Sequence, residues 1–351
     1  MKPIHARRDF LRKLGALGLL GALPTTLRAA AEDDPERSAA SLLTPEAQTA
    51  IDRGLTFLAK QQTDEGAFGT TGYARDVAIS ALAGMAFMSS GSTPDRGPYG
   101  PQVAKCIDFI LAHADPGGFI NVKESASHGP MYGHGFATLF LGEVYGMSKL
   151  PEVREKLVAA VKLIVETQNA EGGWRYQPRR EEADLSVTIC QVMALRAARN
   201  AGIFVPANCI DNTIRYVKKS QNADGGFMYM IQGGQSAFPR SAAGVVALYS
   251  AGIYEGPEIE RGLKYLMENL PAGGLFNRES HYFYGHYYAV QAMWHAGGTH
   301  WQRWYPQVRD ELVARQRPDG AWMDSICTEY GAAMACIILQ MPNNYLPIFQ
   351  R

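Results

Sequence analysis

Two kinds of apolar stretch alternate along the chain. In the first, apolar residues recur every three to four positions with charged residues between them. Val153, Leu157, Val161, Ile164 and Val165 form one such stripe, while Glu152, Arg154, Glu155, Lys156 and Lys162 lie off it. That is the period of a helix with one buried face. The second kind is apolar nearly all round, over 78–88, 136–145, 187–198, 242–251, 287–296 and 331–341. Helices of that composition are enclosed on every side. The pattern predicts half-wet helices alternating with six dry ones, and it contains no strand-rich stretch.

The punctuation between the stretches repeats. Prolines at 45, 101, 151, 206, 257 and 306 precede or open the amphipathic stretches, where a missing N–H costs nothing. A Gln-x-x-x-Gly-x-aromatic string then follows, at Gln62…Gly66…Phe68, Gln168…Gly172…Trp174, Gln221…Gly225…Phe227 and Gln316…Gly320…Trp322. Weaker copies read His113…Gly117…Phe119 and Asn269…Gly273…Leu275. The six aromatic-site positions are separated by 51, 55, 53, 48 and 47 residues, a period that marks a repeat architecture. Gly91, Gly146, Gly202, Gly252 and Gly297 stand where the dry helices end and read as C-caps. Six dry helices cannot lie on a surface. The expected packing is an all-α (α/α)6 toroid, with the dry helices as an inner ring and the amphipathic ones outside. An open solenoid would expose its terminal dry helices, and no polar capping repeat is visible.

Charge and composition change this picture at one end only. Residues 1–31 begin with Lys2, Arg7, Arg8, Arg12 and Lys13, run through the short apolar stretch 14–23, and end in Ala29-Ala30-Ala31. That is the layout of an export leader, and Arg7-Arg8-Asp9-Phe10-Leu11-Arg12-Lys13 is similar to a twin-arginine signal. The expected organisation is a leader over 1–31, a linker over 32–43, the toroid over 44–341 and a tail over 342–351, in an exported, periplasmic or extracytoplasmic protein. The whole chain has 34 basic and 34 acidic residues. Six basic and one acidic residue lie in the leader, so the remainder carries 28 and 33, a net charge of −5. That balance argues against a nucleic-acid partner. No later run is long enough for a transmembrane segment. Five scattered cysteines do not make a disulfide framework.

The Gln-x-x-x-Gly-x-Trp strings resemble those of the prenyltransferase and squalene-cyclase repeat superfamily, over nearly the whole of 44–341. The resemblance implies a terpenoid-cyclase-like toroid with an apolar central cavity that holds an isoprenoid. Triterpene cyclases protonate their substrate from an Asp-x-Asp-Asp-Thr motif. The nearest string here is Asp184-Leu185-Ser186-Val187-Thr188, with a hydroxyl where the protonating acid would stand. Protein prenyltransferases hold zinc with Asp, Cys and His from inner-helix starts; their Asp-x-Cys order is absent, and Cys327-x-Glu329 is the closest string. The Cys-Gly-Glu-Gln string of thioester domains is also absent.

In a toroid of this connectivity all six inner-helix starts meet at one mouth, and their dipole ends favour negative charge there. The candidate catalytic groups at those starts are Asp184 or Glu329 as acid and His286 or His134 as base. The candidate ligand-binding groups are Asp76, Tyr132, Arg240, Tyr284, Tyr287 and Tyr330. Asp76, Asp184 and Glu329 read equally well as helix caps, and His134 and His286 as core histidines. His286, Cys327 and Glu329 together offer N, S and O donors that suit zinc, although no local spacing supports such a site. Three readings of function follow. The first is an exported cyclase-like protein holding an isoprenoid or other apolar ligand. The second is a non-catalytic binding or interaction toroid, and the third an (α/α)6 carbohydrate-active enzyme with two carboxylates across a cleft.

Overall fold

The computed structural model describes residues 41–269 and 281–350. The leader and the motif positions Gly273 and Leu275 lie outside the described residues. Twelve α-helices are present among those described, with no strand. They are α1 (Pro45–Gln61), α2 (Val77–Ser89), α3 (Gly100–Ala112), α4 (Pro130–Val144), α5 (Pro151–Thr167) and α6 (Leu185–Asn200). The second half comprises α7 (Ala207–Lys219), α8 (Phe238–Ser250), α9 (Pro257–Glu268), α10 (Tyr282–Ala296), α11 (Gly298–Arg315) and α12 (Thr328–Leu339). The even-numbered helices are buried along nearly their whole length. Each packs on the next, and α12 packs back on α2, so the inner ring is closed. The odd-numbered helices lie outside, and α1, the first of them, packs mainly on α12, the last inner helix. The fold is the expected (α/α)6 toroid.

The repeated glutamine explains how the layers are joined. Each Gln sits at the end of an outer helix, and its Nε2 donates twice. One bond goes to the turn glycine four residues on: Gln168 to Gly172 O at 3.0 Å, Gln221 to Gly225 O at 2.9 Å and Gln316 to Gly320 O at 2.9 Å. The other goes to a carbonyl of the following outer helix: Gln62 to Gln102 O, Gln168 to Cys209 O and Gln221 to Glu258 O. Gln316 closes the circle by donating to Ala50 O of α1 at 2.8 Å. The turn glycine must be glycine. At Gly172 φ is +101°, and a Cβ would stand 2.2 Å from Asn212 O. The motif tryptophans bury the indole and spend its N–H on the preceding outer helix, Trp174 Nε1 to Ile164 O at 2.7 Å and Trp322 Nε1 to Leu312 O at 2.8 Å.

The structure shifts several expected positions. In the second repeat the turn glycine is Gly118, with φ +91° and its Cβ direction against the Ala159 backbone, whereas a Cβ at Gly117 would meet only the Asp115 side chain. The buried residue in the aromatic slot is Ile120 rather than Phe119. This repeat lacks the glutamine, and Lys156 Nζ of α5 donates to Ala114 O instead. Pro306 does not open the last outer helix but lies inside α11, which begins at Gly298. The buried Trp301, Trp304 and Tyr305 carry that helix through the proline by side-chain packing. The inner helices begin earlier than the apolar pattern suggests, by six residues in α4 and five in α10. Pro130 and Pro239 sit in first turns, where they are tolerated. Gly91, Gly202, Gly252 and Gly297 take positive φ as caps, but Gly146 is not among the positive-φ residues, and α4 continues into an αR residue at Tyr145.

The C-terminal segment packs on the end of the ring opposite the inner-helix starts. Ile348 and Phe349 are buried. The Ile348 N–H donates to Glu143 Oε2 at 3.2 Å, Arg196 donates to Gln350 O at 2.6 Å, and Trp294 Nε1 to Phe349 O at 3.1 Å.

Candidate functional site

At four of the described turns the polypeptide leaving an outer helix turns at the glycine, buries its aromatic (Phe68, Trp174, Phe227 or Trp322) and enters the inner helix. The fourth residue or so of that helix is polar and serves the turn. Ser80 Oγ, Thr188 Oγ1 and Ser241 Oγ accept the backbone N–H of Phe68, Trp174 and Phe227, at 2.9, 3.1 and 2.9 Å. His134 does the same in the second repeat: its Nδ1 accepts the Ile120 N–H at 3.2 Å. Burial pushes its pKa down to about 4, so the ring is neutral, with the proton on the nitrogen that faces the Ala160 backbone. His134 is a structural acceptor, not a base at the mouth. His286 is also enclosed, stacked on Tyr282 at 4.0 Å and near Trp304 and Phe238. Its Nδ1 donates to Tyr282 O at 3.0 Å, and burial pushes its pKa down to about 4.

The six starts converge as expected and enclose a cavity of about 710 Å³, a size suited to a small-molecule ligand. Asp76, Tyr132, Ser186, Arg240, Tyr284 and Tyr330 reach it from α2, α4, α6, α8, α10 and α12 or from their caps. Among the described residues, nine Phe and Tyr rings take part in its wall, with Ile79 and Ile326. Asp76 is the N-cap of α2. Its Oδ1 accepts from Ala78 N and Ile79 N at 2.8 and 3.0 Å, and its Oδ2 accepts from Ser125 Oγ at 3.3 Å. Burial nevertheless raises its pKa, against the opposing pull of those bonds. Arg240 is tethered to Gln235 O at 2.6 Å and Phe227 O at 3.2 Å.

The remaining candidates do not line the cavity. Asp184 is the buried N-cap of α6, bonded to Val187 N at 2.9 Å and to Tyr229 Oη at 3.3 Å. Burial raises its pKa to about 6. Glu329 accepts from Thr70 Oγ1 and Thr328 Oγ1, both at 3.2 Å, in the first turn of α12. Tyr287 is core, edge-on to Phe136 and Tyr288. Cys327 is buried, and its thiol is pushed up to about 12. The structure does not gather His286, Cys327 and Glu329 into a metal site: among the described residues, no three His, Cys, Asp or Glu side chains come together to hold an ion.

Several residues of the wall went unselected in the sequence. Tyr176 and Tyr229 lie two residues beyond motif aromatics, in Trp174-x-Tyr176 and Phe227-x-Tyr229. Both line the cavity from bends in the backbone that are pinned to neighbouring inner-helix starts, Met131 N donating to Tyr176 O and Leu185 N to Tyr229 O. Tyr73, His128, His281 and Asp324 also line the cavity. Tyr73 Oη and His128 Nδ1 lie 3.1 Å apart, and the His128 and His281 rings meet edge-on at 6.5 Å.

Residues 77–275 match the model of the prenyltransferase alpha-alpha toroid domain. The chain belongs to that family. No curated protein matches it by sequence. Among solved structures, this toroid is similar to the apo type II terpene cyclase MstE from Scytonema, with TM-score 0.58 and 14% identity over 86% of this chain and 99% of that one. MstE variants have also been solved with geranylgeranyl dihydroxybenzoate as substrate and with merosterolic acid A as product. It is similar too to an inactive variant of the α-1,6-mannanase GH76A of Salegentibacter sp. HEL1_6 in complex with α-1,6-mannotriose. There the TM-score is 0.62 at 7% identity over 85% and 99% of the two chains. At these identities the likeness is one of fold. No helix among the described residues is long and apolar enough to cross a membrane.

Proposed function

We propose that this toroid protein is terpene-cyclase-like and binds an isoprenoid-class apolar ligand in the mouth cavity, and that it is exported through its twin-arginine-like leader. The observation that carries the ligand reading is the wall itself. Nine aromatic rings and two isoleucines surround a space of about 710 Å³, and ring faces both accommodate alkene carbon and stabilise a developing cation. Ser186 faces this space at the position where the resembled motif has its acid, and a hydroxyl cannot protonate an alkene. The acid role therefore falls to Asp76, whose carboxyl lies in the wall with its pKa raised by burial. Transfer of its proton to a ligand double bond leaves a carbocation among the rings and an Asp76 carboxylate held by two backbone N–H groups and Ser125. Loss of a proton from the product cation to that carboxylate restores the acid. Asp184 and Glu329 stand behind the wall, and His134 and His286 are committed to packing.

A second reading has its own support. Asp76 and Asp324 both reach the cavity, as the two carboxyls of a glycoside hydrolase would, and tyrosine rings also stack on sugars. Native mass spectrometry of the folded chain separates the readings. Incubation with geranylgeraniol is expected to give one bound ligand per chain, lost in Tyr132→Ala, whereas α-1,6-mannotriose gives none. Binding of the trisaccharide without the isoprenoid establishes the second reading and removes the first. Conversion of bound geranylgeraniol to a cyclic isomer, abolished in Asp76→Asn, tests the acid assignment.

A further inference from the structure

Through the aromatic wall runs a hydrogen-bonded chain of three side chains that the proposed acid chemistry does not use. Asp184 Oδ1 is occupied by the Val187 N–H as a helix cap, which leaves Oδ2 for Tyr229 Oη at 3.3 Å. The Tyr229 hydroxyl is in turn bonded to the Tyr176 hydroxyl. Tyr176 and Tyr229 both line the cavity, so the chain runs from a buried carboxyl to the cavity wall. The two tyrosine backbones are fixed by the inner-helix N–H groups of Met131 and Leu185. The Tyr176 ring is held further by the Arg175 guanidinium above it, 5.3 Å from the centroid, and by the Tyr132 ring at 6.2 Å. A preorganised polar terminus of this kind, set among the aromatic rings of the wall, fixes ligand orientation.

We infer that Asp184, Tyr229 and Tyr176 form a relay that anchors one oxygen-bearing head group of the apolar ligand, and that the charge of Asp184 sets whether the cavity end of the relay accepts or donates a hydrogen bond. The inference rests on the apolar-ligand reading and adds the class of head group. With Asp184 ionised, Tyr229 donates to Oδ2 and Tyr176 donates to Tyr229. The Tyr176 oxygen is then left to accept from a ligand hydroxyl. With Asp184 protonated at Oδ2 every bond reverses, and Tyr176 donates to whatever oxygen the ligand presents. The charged group facing Asp184 is Arg175, which also pairs with Glu182 at 3.2 Å. Tyr132 of α4, Tyr216 of α7, Cys190 of α6 and Tyr284 of α10 also surround it, each held protonated chiefly by burial. The pKa of Asp184, raised to about 6, places the reversal in an accessible range.

Geranylgeraniol and its methyl ether test this, because both accept a hydrogen bond and only the alcohol donates. Dissociation constants are measured by calorimetry in detergent at pH 8 and pH 5. At pH 8 the alcohol is expected to bind roughly tenfold more tightly than the ether, the effect of one hydrogen bond on a charge-linked acceptor. The preference is expected to shrink to within about twofold at pH 5. Tyr176→Phe and Tyr229→Phe are expected to lose the preference at pH 8 while still binding the ether, which shows that they are folded. Asp184→Asn keeps an N-cap and is expected to show a preference that no longer depends on pH. A preference that survives both Phe substitutions, or a pH dependence that is the same in Asp184→Asn, overturns the relay while leaving the apolar-ligand reading in place. Failure of the wild-type chain to bind either compound overturns that reading, and the relay with it.

Discussion

His134 shows how one repeat position can carry different chemistry for the same purpose. Ser80, Thr188 and Ser241 accept the N–H of their turns through hydroxyls, and His134 does so through a ring nitrogen. His134→Thr is therefore expected to keep the acceptor, whereas His134→Ala leaves the Ile120 N–H buried and unpaired. The alanine variant should lose about 2–4 kcal/mol in urea unfolding and the threonine variant clearly less, with ligand binding unchanged in both. The ring also gives stability a pH dependence. Its folded-state pKa is lowered from 6.5 to about 4, so between those values the unfolded chain binds more protons. The stabilisation is complete above pH 6.5 and drains away as pH falls toward 4, by about 3 kcal/mol for this group. His134→Thr removes that share of the acid sensitivity. The sequence alone could place His134 at an inner-helix start but not decide which way it pointed. The same ambiguity separated Asp76, Tyr132, Arg240, Tyr284 and Tyr330, which reach the cavity, from Asp184, Glu329 and Tyr287, which do not. All lie at the N-cap or within the first two turns of a dry helix, and the rotation of each helix about its axis decides the matter. Tyr176 and Tyr229 sit at bends between the motif turn and the inner helix, where no periodicity marks a wall residue.

At the scale of the element, the outer helix and its turn are joined by two contacts that were visible as letters before their role was known. Gln316 donates to Gly320 O and to Ala50 O, and Gly320, with φ +93°, would place a Cβ 2.6 Å from Arg53 O. Gln316→Ala is expected to cost about 1–3 kcal/mol through the two stranded carbonyls. Gly320→Ala should cost more, about 2–4 kcal/mol, since both backbone strain and a clash with a main-chain oxygen are introduced. Urea midpoints of the two variants check the order, and a Gly320→Ala variant as stable as wild type would refute the role given to the turn. The alternation of half-wet and dry helices made the ring legible, because six dry helices have one economical arrangement. Helix starts were less so. Pro306 inside α11 and the early starts of α4 and α10 follow from aromatic packing, which outweighs local punctuation. The missing glutamine in the second repeat moved the register by one residue, because its neighbours Gly117 and Gly118 are indistinguishable as letters.

The ring as a whole has two ends that are treated differently. The end with the inner-helix starts opens into the cavity, while the other end receives the C-terminal segment. That segment is held by a buried pair of groups, Glu143 accepting the Ile348 N–H and Arg196 donating to Gln350 O and Tyr249 O. Burial raises the Glu143 pKa from 4.5 to about 8, with the Ile348 bond and Arg196 opposing the rise. The sign follows directly. A carboxyl with a raised folded-state pKa makes the native state bind more protons than the unfolded chain between pH 4.5 and 8. Its neutral form therefore suits the fold fully below pH 4.5, and stability is lost as pH rises through that window. Glu143→Gln keeps the size and the acceptor and removes the titration. It is expected to unfold at nearly the same urea concentration as wild type near pH 4.5 and to be more stable by about 4 kcal/mol at pH 8. Hydrogen exchange should localise the difference: in wild type, protection of the Ile348 and Phe349 amides falls between pH 6 and 8, after correction for intrinsic rates, and in Glu143→Gln it does not. Equal stability of the two chains at pH 8 would mean that Glu143 is ionised in the folded protein, paired with Arg196, and that the C-terminal seal is held by an ion pair rather than by a neutral carboxyl.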